Sequence, residues 1–414
     1  MNRSDFSRLL GAPAGLVAEV RREATVIDAA DPRRFMDELA AAAAQVGTVL
    51  LASESWGETE RQQLAALRQL EQVSPPTAAG KGWLCIPTGG TGGQLKFARH
   101  DEETISAAVN GFTRHFEIPQ VNAAGLLPLH HVSGLMAWLR CALTGGEYLP
   151  LDWKSIEAGT LPLLPAKPEG WVISLVPTQL ERLLRSDRAG EWPGKFRFVF
   201  LGGGPAWPEL LEEAAGRRLP LSPGYGLTES AAMVAALRPA EFLGGARSSG
   251  TVLPHATLKI GGEGAITLGG ESLFRGYYPE WRTGIGFETE DAGWLDERGH
   301  LHVTGRRDSV IITGGEKVDP AEVEAVLRGC GEFAEIVVLG VPDAEWGQAV
   351  VAVYPEAARP RLDRVAVAVS RLLAPAKRPK RFVPLTDWPV NSQGKVNRAE
   401  VARLVASSNP LNRR

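Results

Sequence analysis

Glycines, two threonines and one lysine stand together in CIPTGGTGGQLKFARH, residues 85–100, between two apolar runs. Glycine lets backbone N–H groups point towards an anion, threonine adds hydroxyl donors, and Lys96 adds a mobile positive charge. These groups suit the phosphates of a nucleotide. The spacing is not that of a Walker loop, since Lys96 follows Leu95 and precedes Phe97, and it is not a dinucleotide fingerprint. Taken alone, the stretch is also typical of a hairpin loop with a solvated lysine.

Two further loops carry groups that could contact a nucleotide. GGGP, residues 202–205, and GYGLTES, residues 224–230, each follow an apolar, strand-like run. Tyr225 could stack on a base, Thr228 offers a hydroxyl, and Glu229 offers a carboxylate suited to Mg²⁺. We expect both loops at the carboxyl edge of one sheet, where ligands bind in open α/β folds.

Three charged residues downstream complete the set. Asp291, in TEDAGWLDERGHLHVTGRRD, could accept from both ribose hydroxyls, and Arg306 in the same stretch could donate to the sugar or a phosphate. Lys395 stands on a glycine turn in NSQGKVNR. Each piece alone is more often an ordinary turn residue or a solvated charge. Their joint occurrence in a fixed order favours one nucleotide site.

The hydrophobic pattern predicts the elements that would position these residues. Residues 170–186 predict a strand and then a helix capped by Thr178, with Glu181 completing a capping box. Residues 196–218 repeat the scheme, which implies parallel strands separated by helices. Residues 247–304 change to short strand-like pieces between glycine turns, as in a small antiparallel sheet or barrel. Further on, Asp319 should cap a helix that has Pro320 at its first position and Glu322 closing a box.

The composition argues against several classes of protein. Hydrophobic residues make up 44% and charged residues 22% of the chain, as in a globular protein. A formal charge of −3 leaves no electrostatic footprint for nucleic acid, and the basic run at residues 376–382 reads as a solvated face. Three well-separated cysteines argue against a zinc site or a disulfide framework. With no signal peptide and no spanning apolar run, we expect a cytoplasmic protein without stable membrane insertion.

From its glycine loop to its C-terminal lysine, the chain resembles the adenylate-forming superfamily of acyl-CoA synthetases, nonribosomal adenylation domains and luciferases. The loop of that family reads Thr-Ser-Gly-Thr-Thr-Gly-x-Pro-Lys. The corresponding residues here are Thr88, Gly89, Gly90, Thr91, Gly92, Gly93, Gln94, Leu95 and Lys96. Serine and one threonine are replaced by glycine, and proline by leucine. The resemblance implies that the loop holds the β- and γ-phosphates of ATP with fewer hydroxyl donors.

The resemblance also implies an α/β fold with a large N-terminal domain of layered sheets, a small antiparallel β subdomain and a small mobile α+β C-terminal domain. Residues 1–307 would form the N-terminal domain and residues 308–414 the C-terminal domain, with the hinge at Asp308. Rotation about this hinge would withdraw Lys395 and bring Gly314 and Gly315 to the coenzyme A path.

Roles of individual residues follow from the same resemblance. Lys395, Glu229 and Thr228 would be catalytic, with Lys395 clamping charge at the α-phosphate and Glu229 holding Mg²⁺. ATP and coenzyme A would be co-substrates. The remaining nucleotide contacts would be Gly203, Gly204, Pro205, Tyr225, Gly226, Asp291 and Arg306.

Within the superfamily, PLHHVSGL, SLVPTQLERLL and the glycine-substituted loop are similar to the 2-succinylbenzoate–CoA ligases of menaquinone and phylloquinone biosynthesis, especially the cyanobacterial type. That similarity implies ligation of 2-succinylbenzoate to coenzyme A, with release of AMP and pyrophosphate. His131 and Ser133 would lie beside the acyl pocket, and Arg182 would bind the second carboxylate. The early position of the glycine loop implies that part of the usual N-terminal subdomain is missing.

Other interpretations stay open from the sequence. Another aryl- or acyl-acid CoA ligase would share every adenylation residue and differ only in the acyl pocket. A non-catalytic adenylate-binding relative would keep the fold, although the joint presence of the charged residues argues against it. His131 could be purely structural, and Arg182 could be a solvated helix residue. The expected partners are small molecules and not nucleic acid, and self-association into a homo-oligomer stays open.

Overall fold

The computed structural model describes residues 1–13, 23–70, 81–88, 95–186, 188–314, 316–343, 345–390 and 396–407. Within these ranges the first sheet has the strand order β1-β2-β3-β4. Its strands are β1 (Thr25–Ile27), β2 (Val49–Leu51), β3 (Leu84–Thr88) and β4 (Lys96–His100), and its helices are α1 (Arg3–Leu9), α2 (Pro32–Ala43) and α3 (Glu58–Leu70). Strands β3 and β4 are antiparallel, with Thr88 opposite Lys96. The glycine loop therefore joins two hairpin strands, although residues 89–94 lie outside the described ranges.

A larger sheet has the order β11-β10-β9-β8-β7-β5-β6 in the described residues. Its strands are β5 (Asn122–Gly125), β6 (Tyr148–Pro150), β7 (Trp171–Leu175), β8 (Phe198–Leu201), β9 (Leu221–Leu227), β10 (Ala232–Ala236) and β11 (Thr251–Val252). Strands β5 to β9 pair in parallel, while β10 and β11 are antiparallel. The predicted parallel arrangement is confirmed, and GGGP and the Thr228 turn follow adjacent parallel strands.

Six helices accompany this sheet in the described residues: α4 (Glu102–Phe116), α5 (Val132–Thr144), α6 (Trp153–Glu157), α7 (Pro177–Leu184), α8 (Pro208–Gly216) and α9 (Pro239–Leu243). Helices α4 and α5 form a middle layer. Ile105 and Val109 of α4 pack with the core of the first sheet, whereas Phe112 and Phe116 pack with that of the second. One apolar helix thus buries two faces, which fixes the two sheets relative to each other.

The predicted cap of α7 is wrong. The helix begins at Pro177 with Val176 as its N-cap, and the Gln179 side chain accepts from the Val176 N–H at 3.1 Å. Proline is favoured at the first helical position because its missing N–H would have no partner there. Thr178 therefore lies inside the first turn, and Glu181 pairs with Arg185 at 2.7 Å.

A small sheet of four antiparallel strands follows, in agreement with the prediction for residues 247–304. Its strands are β12 (Ala256–Ile260), β13 (Ala265–Gly270), β14 (Phe287–Leu295) and β15 (Leu301–Arg306). A 3₁₀ turn, Arg307–Ser309, connects β15 to the C-terminal part and contains Asp308. The hinge and the division at residue 308 stay predictions.

The C-terminal part has strands β16 (Ile311–Thr313), β17 (Glu316–Val318), β18 (Val337–Asp343), β19 (Gly347–Pro355) and β20 (Arg381–Leu385), with helices α10 (Pro320–Gly329), α11 (Leu362–Leu372) and α12 (Arg398–Ser407). Asp319 caps α10 as predicted and accepts from the Ala321 N–H. Glu322 does not close a box, because its carboxylate pairs with Lys377. The predicted α/β fold class, with a smaller α+β C-terminal part, is confirmed.

Candidate functional site

Tyr225 and Asp291 meet at the end of β9. Tyr225 is buried near the C-terminal end of that strand, and its phenol donates to Asp291 Oδ2 at 2.7 Å. Asp291 comes from β14 of the small sheet, where it lies opposite Arg306 of β15. Burial and the nearby carboxylate raise the pKa of the Tyr225 phenol, so it remains a donor. The contact brings an aromatic face and an acceptor carboxylate together, as a base and a ribose require.

Glu229 and Lys96 are linked through Tyr277, which the sequence analysis missed. The Tyr277 phenol donates to Glu229 Oε1 at 2.6 Å. The Lys96 ammonium lies over the same ring, 5.5 Å from its centre. Burial and the Glu229 charge raise the pKa of Tyr277, which keeps the phenol protonated. The predicted phosphate lysine and the predicted metal carboxylate therefore contact one aromatic side chain, the lysine over the ring and the carboxylate at the phenol.

His100 fixes the turn that contains Thr228 and Glu229. Its Nε2 lies 2.8 Å from the Thr228 carbonyl oxygen, and its Nδ1 lies 3.1 Å from the Thr104 hydroxyl. Complete burial lowers the His100 pKa to about 4, so the ring is neutral near pH 7. The carbonyl requires Nε2 to carry the proton. His100 thus ties the end of β4 to the turn after β9.

The Glu229 carboxylate also has the chemistry of a magnesium ligand. In the described ranges its Oε1 accepts from Tyr277, and no hydrogen-bond partner is recorded for Oε2. The same ranges contain no group of three or more His, Cys, Asp or Glu that could hold a metal. A single carboxylate that shares Mg²⁺ with substrate phosphates is the arrangement this cation commonly adopts.

The glycine turn after β8 faces the C-terminal part. Gly203, Gly204 and Pro205 line a cavity of about 100 Å³, together with Val396 of the C-terminal part. Gly203 has a φ of +77°, which favours glycine. Lys395 lies outside the described residues, but Val396, which follows it in the chain, lines the same cavity as the GGGP turn that is predicted to contact the nucleotide.

The residues predicted for the coenzyme A path are partly described. Gly314 lies in the β16–β17 turn with a φ of +56°, and its N–H donates to the Trp346 carbonyl at 2.8 Å. Gly315 lies outside the described residues, as do Gly89, Gly90, Thr91, Gly92 and Gly93 of the phosphate loop.

His131 and Ser133 lie where α5 begins. His131 is the N-cap residue, and its ring centre is 4.2 Å from that of His130. Burial, followed by the charge of His130, lowers the His131 pKa to about 3. Ser133 lies in the first turn and is half-buried. A neutral imidazole beside an apolar helix can contact or gate a ligand but cannot serve as a cation.

Arg182 is paired with two carboxylates. Its guanidinium donates to Glu157 at 2.6 Å and to Glu335 of the C-terminal part at 3.0 Å. Its side chain is 40% exposed. The arrangement occupies the donors that a substrate carboxylate would need, so the assignment of Arg182 stays a prediction that the geometry does not favour.

Arg140 is a buried cation that the sequence analysis did not single out. Its side chain is 5% exposed, its guanidinium lies 4.0 Å from the Phe112 ring centre, and its Nε has no hydrogen-bond partner in the part of the chain that the structure describes. Its pKa falls to about 10 through burial, so it stays charged. No carboxylate of the described ranges pairs with it. A buried cation without a counter-ion is costly, and an anionic ligand would compensate it.

Two histidines lie near Arg140 on neighbouring elements. His255 and His115 are buried with unpartnered ring nitrogens, and burial and then the charge of Arg140 lower the His255 pKa to about 4. His255 packs against Gly111 so closely that a Cβ there would lie 1.8 Å from its Nδ1. In this cluster, defined as Arg140, His115 and His255, four nitrogens make no hydrogen bond of good geometry among the described residues: Arg140 Nε, His115 Nε2 and both ring nitrogens of His255. The backbone of Ala236 lies close to His115, and that of Met233 lies close to His255. The sequence signal was weak, since an arginine in an apolar helix run has no fixed motif.

Curated relatives of this chain are acid–CoA ligases. It is 33% identical over 291 residues to a 2-succinylbenzoate–CoA ligase of Oceanobacillus iheyensis, a match that covers 67% of this chain and 60% of the relative. It is 31% identical over 358 residues to an indoleacetate–CoA ligase of Aromatoleum aromaticum, covering 81% of this chain and 69% of the relative. This chain spans about 60% of the length of two 2-succinylbenzoate–CoA ligases that it matches.

Solved structures share the fold. An o-succinylbenzoate CoA synthetase from Bacillus subtilis, in complex with its acyl-adenylate intermediate, superposes with a TM-score of 0.75 at 22% identity, covering 96% of this chain and 91% of that chain. ATP-bound MatB from Rhodopseudomonas palustris also gives 0.75, at 21% identity, covering 97% and 92%.

Family profiles match most of the chain. The AMP-binding enzyme profile matches residues 13–278, which include the described nucleotide motifs up to Tyr277. The profile of the C-terminal domain of AMP-binding enzymes matches residues 322–395. Among the described residues, no helix has the length and hydropathy needed to cross a bilayer. The chain belongs to the AMP-binding enzyme family.

Proposed function

We propose that this protein activates a carboxylic acid with ATP to an acyl-adenylate and then transfers the acyl group to coenzyme A, releasing AMP and pyrophosphate. One observation carries the proposal: the contacts Tyr225–Asp291 and Lys96–Tyr277–Glu229 bring together residues that are far apart in sequence. The two groups are adjacent because Tyr225 lies in β9 and Glu229 lies in the turn that follows it. The first pair suits a nucleoside, and the second suits its phosphates. A non-catalytic binding protein would not need both a phosphate lysine and a metal carboxylate.

In the first step, some residues bind the nucleotide and others stabilise charge on its phosphates. Tyr225 stacks on the adenine and Asp291 accepts from the ribose hydroxyls. Lys96, with the backbone of residues 88–93, holds the β- and γ-phosphates. Mg²⁺ at Glu229 would neutralise phosphate charge while the acid carboxylate attacks the α-phosphate.

In the second step the thiol of coenzyme A displaces AMP from the acyl-adenylate. Lys395 supports only the first step, because charge gathers at the α-phosphate there. We propose that rotation at Asp308 removes Lys395 and brings the turn with Gly314 and Gly315 to the reacting carbonyl. The position of Val396 in the cavity beside Gly203 supports an adenylate-forming arrangement in the present structure.

The acid is proposed to be 2-succinylbenzoate, as in menaquinone biosynthesis. Relatives that are 2-succinylbenzoate–CoA ligases support it, and so does the buried charge of Arg140, since this acid carries a second carboxylate. In this proposal Arg140 replaces Arg182 as the partner of that carboxylate. The indoleacetate–CoA ligase relative favours a second candidate, an aryl monocarboxylic acid. The partners would be small molecules in the cytoplasm.

A pyrophosphate exchange experiment tests this proposal. Labelled pyrophosphate should enter ATP only when the correct acid is present, because adenylation is reversible and needs no coenzyme A. The acid panel should include 2-succinylbenzoate, benzoate, indoleacetate and a medium-chain fatty acid. Exchange with 2-succinylbenzoate alone supports both parts of the proposal. Exchange with another acid alone would overturn the assignment of 2-succinylbenzoate as the substrate. No exchange with any acid would overturn the proposal that the protein activates a carboxylic acid with ATP.

A further inference from the structure

We propose that Tyr277 is a positioning residue that aims the carboxylate of Glu229 at the Mg²⁺ of Mg·ATP, and that its ring holds Lys96 until nucleotide binds. The inference rests on the proposed ATP chemistry and adds a residue to it. Its starting observation is that one side chain contacts both groups: its phenol donates to Glu229 Oε1 at 2.6 Å, and its ring lies 5.5 Å from the Lys96 ammonium.

Tyr277 is anchored from two sides. Its backbone bridges to Ala98 of β4, and the next residue donates its N–H to the Phe97 carbonyl at 2.9 Å. Its ring packs edge-on against Phe274, with centres 4.9 Å apart. Because β4 begins at Lys96, the anchoring also fixes Tyr277 relative to the lysine's strand.

The same segment holds the backbone of Glu229. The Phe274 N–H donates to the Glu229 carbonyl oxygen at 2.8 Å. Glu229 is therefore held twice, by its backbone through Phe274 and by Oε1 through Tyr277. A carboxylate with both constraints keeps one orientation, in which Oε2 has no recorded protein partner among the described residues. A preoriented oxygen binds a cation better than a rotating one, since less conformational entropy is lost.

The ring has a separate effect on Lys96. A cation over an aromatic face is held weakly when it is exposed, and Lys96 is exposed. The ammonium can therefore transfer to a phosphate at small cost when ATP enters. Tyr277 accordingly keeps Lys96 close to Glu229 without a direct ion pair, which would occupy the carboxylate.

Calorimetric titration with ATP, with and without Mg²⁺, separates this role from a merely structural one. Tyr277→Phe removes the donor and keeps the ring. We expect its ATP affinity to fall about tenfold with Mg²⁺, the effect of losing one hydrogen bond to a charged group. Without Mg²⁺ it should stay within about twofold of the unmutated protein, because the ring still faces Lys96. The neighbouring Tyr278→Phe, whose phenol donates to the Leu67 carbonyl at 3.4 Å, is the matched control.

A second variant gives a readout independent of folding. In the Glu229→Gln background, Tyr277→Phe should add almost no further loss of Mg·ATP affinity, since the two residues act through the same carboxylate. Equal weakening with and without Mg²⁺, unchanged Mg·ATP affinity in Tyr277→Phe, or full additivity with Glu229→Gln would each overturn the inference alone. Absence of ATP binding in the unmutated protein would overturn the proposed function, and the inference with it.

Discussion

At the residue scale, the charge of Arg140 differs from that of Arg182 in what surrounds it. Arg182 shares two carboxylates at a partly exposed site, whereas Arg140 is buried beside Phe112 without a carboxylate among the described residues. Exposed ion pairs contribute little to stability, while an uncompensated buried charge is unfavourable until an anion binds. The difference favours Arg140 over Arg182 as the partner of the second carboxylate in the proposed function.

Replacing Arg140 with methionine should therefore lower kcat/KM for 2-succinylbenzoate by about 10- to 100-fold, the scale of a hydrogen bond to a charged group. The same change should leave a monocarboxylic acid such as benzoate unaffected or improved. Arg182→Met is the control, and it should change neither value by more than about twofold. Steady-state kinetics with both acids measure the effect. Equal losses with the two acids in Arg140→Met would contradict the assignment.

Asp291 allows a second residue-scale prediction. If its carboxylate accepts from the ribose, the unmutated protein should bind 2′,3′-dideoxy-ATP about tenfold more weakly than ATP. Asp291→Ala should bind both nucleotides equally weakly, since the acceptor is gone. Competition binding measures the two ratios. A persistent preference of the variant for ATP would place the ribose elsewhere.

The residue types of the nucleotide site could be predicted because their chemistry is local: Lys96, Tyr225, Glu229 and Asp291 stand in short motifs. Tyr277 could not be predicted, because its role depends on a bridge to Ala98 and a contact to Glu229 that only the fold creates. Arg182 follows a motif, which predicts a role at the acyl pocket, but its partner Glu335 of the C-terminal part could not be foreseen from the sequence.

At the element scale, β9 and β10 position the turn that contains Thr228 and Glu229. The strands pair antiparallel around Thr228–Ser230, with Gly226 opposite Met233. A Cβ at Gly226 would lie 1.9 Å from the Ala232 carbonyl oxygen, a backbone atom that cannot move aside cheaply. The sequence predicted the strand and the turn from apolar runs and glycines. It could not predict that glycine is needed here for close packing of two backbones.

Gly226→Ala should destabilise the protein by about 1–3 kcal/mol, the usual cost of overpacking. It should also raise KM for ATP, because the turn that contains Thr228 must shift. Gly216→Ala, at the end of α8 with no atom near its Cβ, is the control and should be neutral or slightly stabilising. Denaturant unfolding measures both. Equal stability of the two variants would show that the β10 backbone can shift without a cost in free energy.

At the scale of the whole molecule, the core buries histidines in their neutral form. Burial lowers the pKa to about 4 for His100, His130 and His255, and to about 3 for His131. Between the ordinary value of 6.5 and these values, the unfolded chain binds protons that the folded protein does not. Stability is therefore fully present above pH 6.5 and is lost as the pH falls below it.

Unfolding at pH 5.5 should accordingly take up protons, and each such histidine lowers the free energy of unfolding by up to about 1.4 kcal/mol per pH unit in that window. Calorimetry in buffers of different ionisation enthalpy measures the uptake directly. His100→Gln should reduce it by about one proton at most, since a single site is removed. Zero uptake at pH 5.5 would mean that these rings are charged in the folded protein.

The two-domain mechanism predicts separable half-reactions. Lys395→Ala should lower adenylation by about 10²–10³-fold, the cost of removing one preorganised donor, and should leave thioester formation from pre-made acyl-adenylate nearly normal. Gly315→Leu should do the reverse by obstructing the thiol path. Measuring adenylation and thioester formation separately in both variants shows whether the two half-reactions are separable. Equal loss of both steps in Lys395→Ala would contradict a hinge motion at Asp308.

The fold class followed from the alternation of apolar strands and amphipathic helices, and the structure confirms it. The arrangement of the C-terminal part against the GGGP turn did not follow, because contacts such as Arg182–Glu335 join surfaces whose sequences carry no shared pattern.

Oxygen transfer tests the central claim, the attack of a carboxylate on the α-phosphate of ATP, most directly. The acid is labelled with ¹⁸O in its reacting carboxylate and incubated with the protein, Mg·ATP and coenzyme A, and the nucleotide products are analysed by mass spectrometry. If an acyl-adenylate forms, one carboxylate oxygen remains on phosphorus when the thiol displaces AMP. The account predicts AMP with one ¹⁸O and unlabelled pyrophosphate. Unlabelled AMP, or ADP with labelled inorganic phosphate, would contradict it.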